Sequence, residues 1–469
     1  MLCRNLVSVA GLAALSIAST MPRAVAAETL EVLADGSGDY ATIQDAIDAA
    51  GPGTVIRIGP GEFREVLTIS KPVTLEGAGW DRTRIVSVAD ENLELTPDVM
   101  HALGRILREV DAQTQAKVRE AVIKVYGARP TIRVSEARDV TLRGLGILRS
   151  EEVRKGGFTG DAAVDVEDSS VVVEDCAILE SPGTGLAARG ESHLAVRHSL
   201  ITNAWGKGGA ITVAETGSFD ISESEIRNNR YSGISITSTS PDIRIRRCRI
   251  HGTGWHGIRY DSSRPLIEGN VFSTTAVSGI YASGTTAAVI RNNLFHHSGI
   301  SCWFQNGDTI EANTFVGDRH AEPKSGITQG LQVLGASNPT VRHNIFITCE
   351  NGVYVGDIGG DRPHSKSSGA VNLVGNVFQD NERNFARSDP DGEGYASVPL
   401  PQGNREQQPS FIDAANDDFR LNDDAPLAAA GIGARNFAGT ASAWPQQPEE
   451  VRTIAAVNER LGREPAVDQ

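Results

Sequence analysis

Apolar and polar positions alternate in short bursts along most of the chain, and the bursts recur. The pattern x-x-Asn/Cys/Ser-x-Ile/Phe sets Cys176, Ser199, Ser224, Cys248, Asn270, Asn293, Asn313, Asn344 and Asn376 in one column. Two places later stand Ile178, Ile201, Ile226, Ile250, Phe272, Phe295, Phe315, Phe346 and Phe378. Alternation of period two is the signature of a strand. Successive anchors lie 23, 25, 24, 22, 23, 20, 31 and 32 residues apart. A second strand opens at a glycine in most units: Gly233-Ile234, Gly257-Ile258, Gly279-Ile280, Gly299-Ile300, Gly330-Leu331 and Gly352-Val353. Two or three short strands per unit, with glycine and asparagine at the bends and no helix between them, predict the coil of a parallel β-helix. Leucine-rich repeats share the period, but their Leu-x-x-Leu-x-Leu frame is absent. The Asn column reads as architecture, because amides stacked in a coil corner bond to one another and to the turn backbone.

The ends of the chain carry a further likeness. Asp35-Gly36-Ser37-Gly38-Asp39-Tyr40, Thr42-Ile43-Gln44-Asp45-Ala46-Ile47 and Pro60-Gly61-Glu62-Phe63-Arg64-Glu65 resemble the opening of pectin methylesterases and other members of the pectin-lyase-like right-handed β-helix superfamily. Pro409-Ser410-Phe411-Ile412-Asp413 with Asp418-Phe419-Arg420-Leu421 resembles the closing segment of secreted bacterial β-helix proteins. The likeness spans about residues 30 to 435. It implies an all-β chain, a single-stranded right-handed parallel β-helix, with a short capping helix before the first coil.

The expected organisation is a signal peptide at 1–27, a cap and first coils at 28–95, a helical insertion at 96–126, the β-helix with its closing segment at 127–435, and a tail at 436–469. The insertion is read from Thr96 as N-cap, Pro97 at the first helical position, and Val99, Leu103, Ile106, Leu107 and Val110 at helical spacing. Residues 1–27 carry Arg4, an apolar run from Leu6 to Ile17 and the small residues Ala24 to Ala27, which together read as a secretory signal. Its removal takes two arginines and no acid, moving the formal charge from −15 to −17. So acidic a chain disfavours nucleic acid as a partner, and no later apolar run reaches membrane-spanning length. The expected product is a secreted or periplasmic monomer.

Composition adds little chemistry. The remaining cysteines are Cys176, Cys248, Cys302 and Cys349. Cys176 and Cys248 hold one position three coils apart, roughly 14 Å at the strand spacing, too far to bridge. All four are expected as buried free thiols. His296 and His297 are adjacent on a strand end, so their side chains are expected to diverge and not to chelate together. No Cys-x-x-Cys, His-Glu-x-x-His or phosphate-loop spacing occurs.

Pectin methylesterases carry Gln-Asp-Thr-Leu and Asp-Phe-Ile-Phe-Gly motifs that supply two carboxylates. The corresponding coils read Gly183-Thr184-Gly185-Leu186 and Asn203-Ala204-Trp205-Gly206-Lys207, without an acid. Pectin demethylation is therefore disfavoured, and no alginate-epimerase Asp-Pro-His-Asp/Glu string occurs either.

The glycine-led strand offers another surface. If Ile234, Ile258, Ile280, Ile300, Leu331 and Val353 face inward, two outward columns follow. The first includes Arg259, Tyr281, Ser301, Gln332 and Tyr354, and the second Asp261, Ser283, Trp303 and Leu334. Aromatic faces beside Arg, Asp and Gln suit a sugar chain. Arg259, Asp261 and His256 are the expected catalytic group, and Tyr281, Trp303, Gln332, Tyr354, Asp357, His320 and His364 the expected substrate contacts. The long units would supply rims: Asp318, Arg319, His320, Glu322 and Lys324 before the strand, Asp357, Asp361, Arg362, His364 and Lys366 after it. These loops serve either as groove walls or as solvated insertions. No motif specifies a cofactor; Asp261, Asp357 and Asp361 are available to a divalent cation such as calcium. Trp205, Tyr231 and Trp255 recur once per coil and either extend the stacking surface or pad a turn. The leading expectation is an exported protein that binds and cleaves or modifies a polysaccharide, as a lyase or glycoside hydrolase. Its rival is a non-catalytic carbohydrate-binding or structural periplasmic β-helix of the copper-delivery type.

Overall fold

The computed structural model describes residues 28–87, 111, 113–114, 130–149, 162–206, 208–304, 306–317, 329–356, 369–388, 394–435 and 437. The expected signal peptide, nearly all of the helical insertion and the tail lie outside the described residues. Three 13-stranded sheets run the length of the fold, and apart from one terminal antiparallel pair in the third sheet every neighbour is parallel. Each turn of the chain contributes one strand to each sheet. Sheet A begins with Thr29–Val32 and ends with Asn372–Val374; sheet B includes Ala177–Leu179 and Val377–Gln379; sheet C includes Val164–Glu167, His256–Asp261 and Arg383–Ser388.

The repeat becomes this coil because each column has one fixed environment. Ile178, Ile201, Ile226, Ile250, Phe272, Phe295, Phe315, Phe346 and Phe378 occupy one register position of sheet B. The five phenylalanines stack inside with ring centroids 4.6 to 5.1 Å apart and nearly parallel planes. Offset stacking at the coil repeat adds ring–ring attraction to burial. The Asn column forms the expected ladder: Nδ2 and the backbone N–H of Asn270 both donate to Asn293 Oδ1, and the bonding continues through Asn313, Asn344, Asn376 and Asn404. The residue before each ladder position is left-handed, with φ of 50° at Arg247, 54° at Asn292 and 53° at Ala312, which turns the chain from sheet A into sheet B.

At the N-terminal end the helix Ile43–Ala49 covers the first coil. Thr42 caps it by accepting from Asp45 N–H, and the Glu65 carboxylate accepts from the N–H groups of Ile43 and Gln44. At the other end, Phe411–Asp413 pairs antiparallel with Asp418–Leu421, and Phe419, Leu421, Leu427 and Ile432 pack on the outer face of sheet B. Cys176, Cys248, Cys302 and Cys349 are buried and free, and burial pushes the thiols of Cys176, Cys248 and Cys349 up to about 12.

One expectation is corrected. His296 and His297 do not diverge; their rings meet edge to face at 4.2 Å. His297 leaves the strand with φ of 50°, so strand alternation no longer governs its direction.

Candidate functional site

The candidate site lies on the outer face of sheet C, and its geometry starts from the glycine column. A Cβ on Gly257 would stand 2.9 Å from Phe272 Cδ1, and one on Gly330 would stand 2.6 Å from Phe346 Cδ1. The stacked rings therefore require glycine opposite them. At Gly257 the inward direction is repeated by Ile258, so alternation breaks there. His256 consequently faces outward with Arg259 and Asp261, while Ile258 and Tyr260 face the core.

From His256 outward the aromatics form a continuous track. Trp255 stacks on His256 at 5.0 Å, His256 on Tyr281 at 4.7 Å, Tyr281 leans on Trp303 at 5.7 Å, and Trp303 meets Phe304 at 5.8 Å. The track runs diagonally across successive coils. Trp255, at one end of the row, is 40% exposed. One corner upstream, Arg230 lies over both Trp205 and Tyr231, at 5.2 and 5.6 Å.

The charged members are placed around this track. The Arg259 guanidinium lies 5.9 Å from the Trp255 ring centre and 6.0 Å from that of Tyr281, and among the described residues it has no carboxylate partner. His256 is only 5% exposed, and its Nδ1 is 2.7 Å from Ser278 Oγ. Burial, reinforced by the charge of Arg259, pushes its pKa down to about 3, so the ring is neutral at pH 7. The Asp261 carboxylate accepts from Ser262 Oγ at 2.8 Å and Ser283 Oγ at 2.7 Å. Trp303 Nε1 donates to Ser301 Oγ at 2.7 Å, which in turn donates to Gln332 Oε1 at 2.8 Å. Among the described residues, His256, Arg259 and Asp261 share one strand but no hydrogen bond with one another.

Register therefore brings together Arg259, Tyr281, Ser301, Gln332 and Tyr354 in one column, and Asp261, Ser283 and Trp303 beside them. Tyr354 departs from the exposed role: it is 8% exposed, packs with Leu334 and Ala386, and holds Ser388 Oγ at 2.8 Å. Asp357, His320 and His364 lie outside the described residues, as do Asp318, Arg319, Glu322, Lys324, Asp361, Arg362 and Lys366. No cluster of three or more metal-ligating side chains occurs among the described residues. Sequence reasoning missed Ser278, which shares a register position with His256, and Gln329, Asn351 and Arg383, which share one further along the same sheet. For Ser278, Gln329 and Asn351 the sequence signal is position, directly before Gly279, Gly330 and Gly352; Arg383 precedes Asn384 and carries no such signal.

Comparison with known proteins decides the family. The profile described as right handed beta helix region matches residues 131–264 and 239–386. The chain belongs to the right-handed β-helix family. Among solved structures, this β-helix resembles a variant of the PL6 family alginate lyase AlyGC, with 14% identity and a TM-score of 0.50 over 90% of this chain and 60% of that one. It also resembles PfbA, a surface adhesin of Streptococcus pneumoniae, with 14% identity and a TM-score of 0.50 over 77% of this chain and 92% of that one. The periplasmic alginate epimerase AlgG aligns at 15% identity and a TM-score of 0.43, over 78% of this chain and 81% of that one. The chain thus spans 60% of the alginate lyase's length, and likeness at this identity describes the fold alone. No curated protein matches the β-helix by sequence. Among the described residues no helix is long and apolar enough to cross a membrane.

Proposed function

We propose that this β-helix is an exported protein that binds a polysaccharide along the outer face of sheet C. The observation that carries the reading is the unbroken track Trp255, His256, Tyr281, Trp303 and Phe304. The inner rings stack on one another, while Trp255 at one end, 40% exposed, and the partly exposed Trp303, tilted 46° to Tyr281, offer ring surface to the apolar faces of pyranose units. Arg259 and Arg230, stacked on rings and without carboxylate partners among the described residues, favour a chain that carries carboxylate or sulfate groups. Gln332, held by Ser301, and Asp261, held by two serines, are fixed polar groups for hydroxyls. The names of the structural neighbours, an alginate lyase, an adhesin and an alginate epimerase, are compatible with such a ligand.

A second reading, catalysis on the bound chain, is favoured by Arg259, which has no carboxylate partner among the described residues and stands between His256 and Asp261 on one strand. A neutral imidazole with a pKa near 3 is far from the value that suits a general base at pH 7. A substrate carboxylate on Arg259 would cancel only the lesser cause of that depression. Binding is therefore the primary reading. Titration of the secreted protein against uronic-acid and neutral polysaccharides tests it, with saturable binding to an acidic chain expected and no binding to any member of the panel contradicting it. Reducing-end and absorbance assays on the same panel test turnover, and product formation lost in Arg259→Ala with binding retained would make the protein an enzyme.

A further inference from the structure

Beyond the aromatic track, the same face ends in a column of planar polar groups. Gln329, Asn351 and Arg383 occupy one register position on three consecutive coils. Asn351 has no exposed surface, and among the described residues neither its Oδ1 nor its Nδ2 has a hydrogen-bond partner. Gln329 Oε1 and Arg383 Nη1 are likewise buried and unpartnered. In the same coil the inward Asn344 amide is bonded on both sides through the Asn ladder, so stacking alone does not leave an amide orphaned. Buried amides without partners are rare in native proteins and call for a missing group.

The covering residue is Tyr395. Its hydroxyl accepts from Gln329 Nε2 at 3.0 Å, and its ring lies 5.7 Å from the Arg383 guanidinium. Tyr395 thus touches both register neighbours of Asn351. Tyr395 is 36% exposed and sits on the terminal antiparallel strand Tyr395–Ser397, where one side-chain hydrogen bond, the Arg383 contact and an edge-to-face contact with Tyr354 at 4.9 Å hold this cover.

The orphaned atoms identify the ligand chemistry. Two are carbonyl acceptors and two are N–H donors. A cation would meet Arg383; an anion would face two carbonyl oxygens, and the guanidinium is already paired with Glu382 at 2.8 Å. Hydroxyl groups donate and accept at once, and adjacent ones match the donor–acceptor pair of an amide. We infer that Gln329, Asn351 and Arg383 form a recess for the vicinal hydroxyls of a neutral sugar unit, entered when Tyr395 swings aside. The recess deepens the polysaccharide reading and rests on it only in taking the sugar as part of a longer chain.

The test uses the full secreted chain and methyl glucopyranoside, galactopyranoside and mannopyranoside as probes, with the corresponding sodium uronates, followed by ligand-observed saturation-transfer NMR. At least one neutral glycoside should bind saturably in the millimolar range, and its uronate at least tenfold more weakly. Asn351→Leu, which removes the orphaned amide at similar volume, should melt at or above the wild-type temperature and bind at least tenfold more weakly. If that variant does not fold, Gln329→Leu provides the same readout. Trp303→Ala should retain glycoside binding. The inference is overturned by no saturable binding of any neutral glycoside, which would leave a buried water only, by tighter binding of uronates, or by unchanged binding in the folded variants. Glycoside binding with polysaccharide binding intact in Trp303→Ala would sink the groove and keep the recess; the opposite pattern would sink the recess alone.

Discussion

Sheets A and C carry arginine on their outer faces, yet treat it in opposite ways. On sheet A one register column reads Arg57, Glu76, Arg143, Glu174, Arg197, Ser222, Arg246, Glu268, Arg291, Glu311 and Arg342. Except at Ser222, neighbours alternate in sign, and several pair, as Arg143 does with Glu76 at 3.4 Å and Glu174 at 3.1 Å, and Arg291 with Glu268 at 3.0 Å. Toward the N-terminal end of sheet C, Arg133 and Arg189 likewise converge on Asp165. In the middle of sheet C the pairing stops: Arg259 lies on Trp255 and Tyr281 instead. A ladder of paired charges fixes register and presents little net field. Arg259, on aromatic rings and without a carboxylate partner among the described residues, is in the proposed reading the cation left for a ligand. The fold is the same on both faces, so the difference lies in the side chains and not in the backbone.

The largest expected effect sets the scale from the inside. Phe315→Ala, in the middle of the phenylalanine stack, should cost about 3–5 kcal/mol in denaturant unfolding. If it cost no more than an outer ring, the assignment of inner and outer columns would be wrong.

Next comes acid sensitivity on sheet C. The folded pKa of His256 is about 3, whereas an unfolded histidine titrates near 6.5. Between those values only the unfolded chain takes up the proton, so stability is complete above about pH 6.5 and falls as the pH drops toward 3. By pH 4.5 the loss from this residue should be on the order of 2–3 kcal/mol. Comparing unfolding at pH 7 and 4.5, His256→Gln should show a smaller acid loss than wild type by that amount. An equal loss in both proteins would mean that the ring is not held neutral.

Trp303→Ala separates ligand from core more finely. The ring is partly exposed, so its removal should weaken polysaccharide binding by about 1 kcal/mol or more while lowering stability far less than Phe315→Ala. Strongly lowered stability with intact binding would assign the ring to packing with Leu334 and Tyr354. Smallest of all, Arg291→Ala on sheet A should change stability by no more than about 0.5 kcal/mol, since exposed ion pairs contribute little. It should leave polysaccharide binding unchanged; a binding defect would erase the distinction between the two faces.

Much of the coil was legible because strict columns have strict causes. Phe272 to Phe378 and Asn270 to Asn376 repeat at coil spacing, and each type has one environment. The outward positions of Arg259, Tyr281 and Trp303 followed from alternation alone. Where alternation fails, legibility failed with it. His297 turns left-handed and meets His296. Asn351 faces outward because Gly352 stands against Phe378, a packing fact that no residue pattern displays. The sheet A ladder escaped notice for a different reason: its members lie 19 to 67 residues apart along the chain, and only register aligns them.

The central claim is that the aromatic track on sheet C holds a polysaccharide chain. Its most direct test is a tryptophan-fluorescence titration of the protein with acidic and neutral polysaccharides, run in parallel on a variant combining Trp255→Ala, Tyr281→Ala and Trp303→Ala and read there by calorimetry. Saturable binding of an acidic polysaccharide by the wild type, lost in a folded triple variant, is the predicted result. Binding of equal strength in both proteins, or no binding of any polysaccharide by the wild type, would contradict it.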